Sequence, residues 1–315
     1  MNRKRTFIFI LIAVVLAIFY YAKLHKPAAG PMSAFSPEAA QSFVLDVPAH
    51  DTVNRLSLYD RSKDSTIVFE KDSKNNWHIV SPVHFPAEPL IVDGFATLLK
   101  RTPRLRPLST HEVDLKDFGF DQPNLKICVG ISKHKDRCLL IGGNSVIGQG
   151  AYAKWEHESA YFLVEEIFLK SFDKTLYSVR RKQIFHLLEG EISEIRFESG
   201  KKKINLVHLG KHWILPGRVE SAIGSQILDQ LLVELSSLYV KEFLDEENPD
   251  DLKSKWNPPA RTIWIVFGDG SQQVLIQGRQ AQGRDAYFAR FNEPETIFLV
   301  SRGKLDHLEE TFSAI

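Results

Sequence analysis

The chain opens on an unbroken apolar stretch and then changes rhythm. Residues 6–22, TFIFILIAVVLAIFYYA, carry no charge, with Arg3, Lys4 and Arg5 before them and Lys23 and Lys26 after. Seventeen residues of helix rise about 25 Å, the short end of what a bilayer core requires. The pattern predicts a membrane-spanning helix over 6–22, with Tyr20 and Tyr21 at the interface and a basic cytoplasmic tail at 1–5. A cleaved signal peptide is the competing reading. The apolar stretch is longer than such segments usually run, and no small-x-small site directly follows it. Either reading exports the remainder of the chain. Residues 23–47 begin with Pro and small residues and are read as a linker leaving the membrane.

Beyond that linker the apolar positions alternate. RLSLYD, STIVFEK and WHIV predict three strands. Glu88 to Arg101 then shows helical spacing at Leu90, Ile91, Phe95, Leu98 and Leu99. Four further strands follow, LKICVGI, RCLLIG, AYAKW and AYFLV; EEIFLKSF reads as a short helix ending the first unit and LDHLEETF as one ending the second. The pattern then recurs. Trp77 matches Trp213, Asp93 matches Asp229 and Pro123 matches Pro259, each at an offset of 136 residues. Leu140-Ile141 matches Leu275-Ile276, and Tyr152 matches Tyr287, at 135. Val53, Leu56 and Leu58 match Ile192, Ile195 and Phe197 at 139, so the first copy carries three extra residues before its Trp.

Landmarks in one order at nearly one offset predict a duplicated unit of about 130 residues. The expected fold is α+β: an N-terminal transmembrane helix, then two tandem, mostly antiparallel-sheet repeats over 48–180 and 190–315, each with one main helix. In the second helix, Ile227, Leu228, Leu231, Leu232 and Leu235 form the stripe, and Ser225 is the expected N-cap. The paired Trp residues read as core or hairpin-edge anchors.

Composition narrows the function classes. The 315 residues hold 40 basic and 39 acidic side chains, a net charge of +1, with 43% apolar and 25% charged residues. Such a balance supplies no global field for nucleic acid and allows a core of ordinary size. The two cysteines, Cys128 and Cys138, flank an expected hairpin turn near Lys133 and should lie nearly opposite each other. Two readings stand: a disulfide, which an oxidising compartment permits, and two free thiols acting as small apolar side chains.

Candidate chemistry is sparse. IGGNSVIGQG, residues 141–150, lacks the Gly-Lys-Ser/Thr end of a phosphate loop and joins two strands, so it reads as a hairpin loop. His208 and His212 fall on opposite strand ends if Gly210 and Lys211 form a tight turn, and zinc would need further ligands. The acidic loops HEVDLKD and DEENPDDLK read as solvated, and Lys201, Lys202 and Lys203 as an exposed turn. No catalytic, cofactor or metal residue is assigned.

Taken together, the apolar N-terminal run, Trp77 with Pro82, the helix carrying Asp93, DFGFDQP before a strand, LLIGG, AYAKW and YFLV resemble a bacterial family known only as a domain of unknown function. Its members are single-span, tandem-repeat proteins often encoded beside gliding-motility-type ABC transporter subunits. In the second copy DFGFDQP has become KSKWNPP, a departure from the pattern. The resemblance supplies no catalytic residues. It implies a membrane-anchored, periplasmic accessory or binding component of an ABC-transporter-type envelope complex, not an enzyme. The expected location is the inner membrane, single-pass, with the N-terminus cytoplasmic. The expected partners are the membrane and transporter subunits, with no nucleic acid. An envelope hydrolase acting on a cell-wall or lipid substrate is the alternative, and a structural spacer a third.

Overall fold

The structure, a computed structural model, describes residues 42–47, 51–108, 115–131, 135–145, 150–187, 192–217, 223–245, 259–292 and 296–315. The compact unit runs from Phe43 to Ile315. Its first half holds β1 (Val53–Asp60), β2 (Ser65–Lys71), β3 (Trp77–Ser81), β4 (Phe85–Pro86), α1 (Pro89–Arg101) and β5 (Leu105–Leu108). After these come β6 (Leu125–Ile131), β7 (Arg137–Asn144), β8 (Ala151–Trp155), β9 (Tyr161–Val164), α2 (Glu166–Phe172) and α3 (Leu176–Val179). The second half holds β10 (Ile192–Ser199), β11 (Lys202–Leu209), β12 (His212–Ile214), α4 (Ser225–Ser236) and β13 (Val240–Phe243). It ends with β14 (Arg261–Phe267), β15 (Gln272–Gln280), β16 (Ala286–Phe291), β17 (Ile297–Ser301) and α5 (Arg302–Ala314).

The strands form two antiparallel sheets that share one connectivity apart from β4, an edge strand that only the first sheet has. The first runs β4-β3-β2-β1-β6-β7-β8-β9-β5 and the second β12-β11-β10-β14-β15-β16-β17-β13. Register agrees in detail. Leu56 faces Val129 and Leu58 faces Ile127; Ile195 faces Ile265 and Phe197 faces Ile263. Each first strand carries an irregularity at the same place, between Val53 and Arg55 and between Ile192 and Glu194. The three extra residues lie in turns. Arg61–Asp64 stand where the second half has only Gly200 and Lys201, and five residues separate the paired Lys71 and Trp77 where four separate the paired His208 and Trp213.

The shared register corrects two of the sequence correspondences. Leu139 faces Ile127 as Leu275 faces Ile263, so Leu140-Ile141 corresponds to Ile276-Gln277 rather than to Leu275-Ile276. Tyr152 faces Leu163 as Phe288 faces Leu299, whereas Tyr287 faces Val300 in the place of Ala151 opposite Val164. Tyr152 and Tyr287 therefore lie on opposite sheet faces. Matching the letters Ala-Tyr slipped the alignment by one residue, and a slip of one exchanges the faces of a strand.

The expected fold class is corrected as well. Antiparallel sheet dominates and the helices are few and short. Among the described residues no helix is long and apolar enough to cross a membrane; α1 and α5, the longest, have 13 residues each. Residues 1–5 and 6–22 lie outside the described residues. The helix expected at LDHLEETF forms as α5 and is as long as α1, so the second half has two substantial helices; Leu305, Leu308 and Phe312 give α5 its own buried stripe at helical spacing.

The α4 stripe holds, with Leu231 and Leu235 buried and Ile227, Leu228 and Leu232 half-buried, whereas that of α1 is shifted from the expected one. In α1 the buried residues are Val92, Phe95 and Leu99, while Leu90 is 84% exposed. Two residues before Val92 on a 3.6-residue turn is the opposite side of the cylinder. Gly224, not Ser225, precedes the first turn of α4, and it makes no side-chain cap. The end of the stretch read as a linker joins the fold: Val44 and Leu45 are buried, and their amides donate to Thr102 and Leu99 at 2.8 Å.

Candidate functional site

Between the halves the chain is stitched to both sheets. Glu88 N–H donates to Val179 O at 2.7 Å and Arg181 N–H to Pro86 O at 3.0 Å, fastening the segment to the β4 edge. Val240 N–H then donates to Lys182 O at 2.8 Å and Ile184 N–H to Leu238 O at 3.0 Å, fastening it to the second half. Extended backbone satisfies its polar groups by such pairing or by water, and after α3 the segment makes one isolated bridge to each side, Arg180 opposite Ala87 and Gln183 opposite Tyr239.

Arg180 sits at the centre of this joint and is 1% exposed. It donates to both Asp245 oxygens, at 2.5 and 3.1 Å. Its guanidinium lies 5.5 Å from the Phe85 ring centre and 4.4 Å from that of Phe243. Phe85 meets Phe243 edge-on at 5.2 Å and Phe291 at 5.9 Å. Burying a guanidinium requires such a bidentate partner and planar neighbours. Lys182 also closes the joint, donating to the carbonyls of Tyr177, Ser178 and Arg180. Burial lowers its pKa below the ordinary lysine value, and Glu88 opposes that shift.

Beside the joint lies a groove of about 290 Å³. Phe85, Ile184, Val274 and Phe291 supply its apolar surface. Arg181, His186, Gln183, Gln272, Gln273 and Asn292 supply its polar lining, with no carboxylate among the described residues. Gln273 holds one wall by accepting from His186 N–H at 2.9 Å and donating to His186 O at 3.3 Å.

The residues singled out from sequence do not converge there. Cys128 and Cys138 face each other on β6 and β7 and form a disulfide with Cα atoms 4.0 Å apart. Trp77 is buried and donates to Asp93 at 2.8 Å. Trp213 is half-buried and stacks on His208 at 5.0 Å, and among the described residues it makes no bond to Asp229, which is exposed. His212 faces Leu209, so the two histidines lie on neighbouring strands. Pro123 and Pro259 lead into β6 and β14. No group of three or more His, Cys, Asp or Glu residues that could hold a metal occurs among the described residues.

Tyr287 belongs to a polar cluster that sequence reading missed. Arg261 donates to Asp306 at 2.7 Å and pairs with Glu309 at 2.6 Å, and Tyr287 O–H donates to Asp306 at 2.9 Å. Burial opposes the Arg261 charge, yet Asp306 and Glu309 outweigh it and raise its pKa. Burial, then the bond to Asp306, raises that of Tyr287. By register, Arg261, Gln277 and Tyr287 replace Leu125, Ile141 and Ala151 of the first half. The cluster clamps α5 to its sheet and contributes no residue to the groove lining.

The motif DFGF is explained by the outer face of the first sheet. Phe118 contacts Tyr152 at 4.4 Å and Tyr161 at 4.8 Å, capping a face that would otherwise be bare. Gly142 of LLIGG makes room, since a Cβ there would fall 1.9 Å from Phe118 O.

No curated protein and no solved structure matches the chain. A family match begins at Trp77 in β3, passes through the stitch and ends at residue 256 in the second half. On that match, which spans residues 77–256 and so more than half of its length, the chain belongs to the family described as domain of unknown function (DUF4340).

Proposed function

We propose that the protein is a non-catalytic accessory or binding component of an ABC-transporter-type envelope complex, acting at the periplasmic face of the inner membrane. The observation that carries this reading is the stitch at 179–184, which holds two similar sheets as one block and leaves a groove between them. A rigid block with a concave seam suits binding, because little ordering remains to oppose association. The Cys128–Cys138 bond supports a location outside the cytoplasm, where thiols are not kept reduced. The transporter context rests on the family resemblance.

A hydrolase would need an acid, base or nucleophile converging on a cavity. The nearest arrangement, Arg261 with Tyr287, Asp306 and Glu309, lies apart from the groove lining and already satisfies its own charges. That favours binding over catalysis.

Photo-crosslinking residues placed at Gln272 and Asn292 of the full-length chain, in living cells, test the proposal. Recovery of transporter membrane subunits is the expected result. Crosslinks that consistently omit any transporter subunit, at native expression, would overturn it.

A further inference from the structure

We propose that the groove beside the joint binds an amphiphilic anion, a ligand carrying one carboxylate or phosphate group on an apolar body. The inference rests on the groove being a binding site and not on which complex the protein serves. Three consecutive cations occupy the stitch, and two are already engaged. Arg180 is paired with Asp245, and Lys182 is directed to three backbone carbonyls. Arg181 is different. Its backbone is fixed by the bond to Pro86 O, it lines the groove, and among the described residues its guanidinium has no carboxylate partner. A guanidinium in a partly desolvated wall without a counter-charge favours an incoming anion that can accept two parallel hydrogen bonds.

The surroundings agree with that charge. His186 stands on the same lining, its backbone held on both sides by Gln273. Gln272 and Asn292 add amide donors, and among the described residues no Asp or Glu lines the groove to repel an anion. The chain as a whole carries only +1, so any selection for anions must be local. The apolar part of the lining, Phe85, Pro86, Ile184, Val274 and Phe291, gives an apolar body a surface to lie on that a bare inorganic anion would not use. A volume of about 290 Å³ holds a single small tail and head.

The test is calorimetric titration of the full-length protein, in a non-ionic detergent, with dodecanoate, dodecyl phosphate, dodecanol and inorganic phosphate. Saturable binding of the first two is expected, with dodecanol at least about tenfold weaker, as loss of one charge-assisted contact implies. Tighter binding of dodecyl phosphate assigns the site to a phosphate head, and tighter binding of dodecanoate to a carboxylate. Arg181→Gln should weaken both anions about tenfold and leave dodecanol unchanged, while Arg181→Lys keeps most of the affinity. Gln272→Glu, at an exposed position, should repeat the loss without touching the stitch. Dodecanol binding as tightly as dodecanoate, inorganic phosphate binding as tightly as dodecyl phosphate, or anion affinity unaltered in both variants would each overturn the proposal. Failure here leaves the crosslinking result standing, and the reverse holds equally.

Discussion

The indole N–H of Trp77 donates to the Asp93 carboxylate at 2.8 Å, tying the third strand of the first sheet to the helix that covers it. The corresponding pair, Trp213 and Asp229, is not bonded, and Asp229 faces solvent. Asp93→Ala should therefore cost about 1–1.5 kcal/mol, the low end for a bond to a charged but exposed group. Asp229→Ala should change stability by less than about 0.5 kcal/mol. Urea unfolding of both variants checks the contrast, and equal effects would show that the bond in the first half contributes nothing.

Asp245→Ala leaves the buried Arg180 guanidinium without its counter-charge. A fully buried pair broken on one side costs about 3–5 kcal/mol. Because the Asp245 side chain is 35% exposed and water can approach, about 2–3 kcal/mol is expected. Arg180→Met, which removes the charge and keeps a long apolar stem between the two rings, should cost less. Chemical denaturation that ranks the two variants the other way round would contradict the account of the joint.

Gly142→Ala should be far more damaging than Gly143→Ala. The first places a methyl 1.9 Å from Phe118 O, whereas the nearest atom to the second is 3.7 Å away. Displacing the Phe118 loop uncovers Tyr152 and Tyr161, at an expected cost of about 1–3 kcal/mol. Thermal unfolding and tyrosine fluorescence report it, with Gly143→Ala indistinguishable from the unaltered protein.

Replacing Cys128 and Cys138 together by Ser should lower stability by about 2–3 kcal/mol, from the loop entropy released over a separation of 10 residues. The unaltered protein treated with reductant in mild urea should fall to the same midpoint. If reduction leaves the midpoint where it was, the bond is not a restraint on the unfolded chain.

Asp60 supplies a pH dependence. Burial raises its pKa, but the Lys63 ammonium and the Ser62 hydroxyl and amide together hold it below the ordinary value of 3.8. The folded state thus binds this proton less readily than the unfolded chain. The stability it contributes is full above about pH 3.8 and is lost as pH falls through the folded value. The stability difference between the unaltered protein and Asp60→Asn should shrink between neutral pH and pH near 3. A gap that stayed constant would remove Asp60 from the acid response.

Much of the sheet was legible because alternation reports directly which face is buried. Trp77, the helix at Asp93 and the strand sequence fell out of period and spacing. The slip at Tyr152 and Tyr287 shows the limit: residue identity outweighed face, and only cross-strand register separates the two. Arg180 was invisible for another reason. A charged residue reads as exposed unless its partner is known, and Asp245 lies 65 positions away, just past β13 of the second sheet. The Arg261 cluster was hidden likewise, since it replaces residues that are apolar in the first half. The groove has no local motif at all, being assembled from β4, the stitch, β15, β16 and the residue after it.

Because backbone from 179 to 184 completes pairing on both flanks, neither half is a self-sufficient product. A truncation after residue 187 would strip Lys182 and Ile184 of their partners, and a fragment beginning at 190 would present Leu238 and Val240 as raw edge, open to any passing strand. Each piece made alone should self-associate, while the two co-expressed should find one another and remain monodisperse.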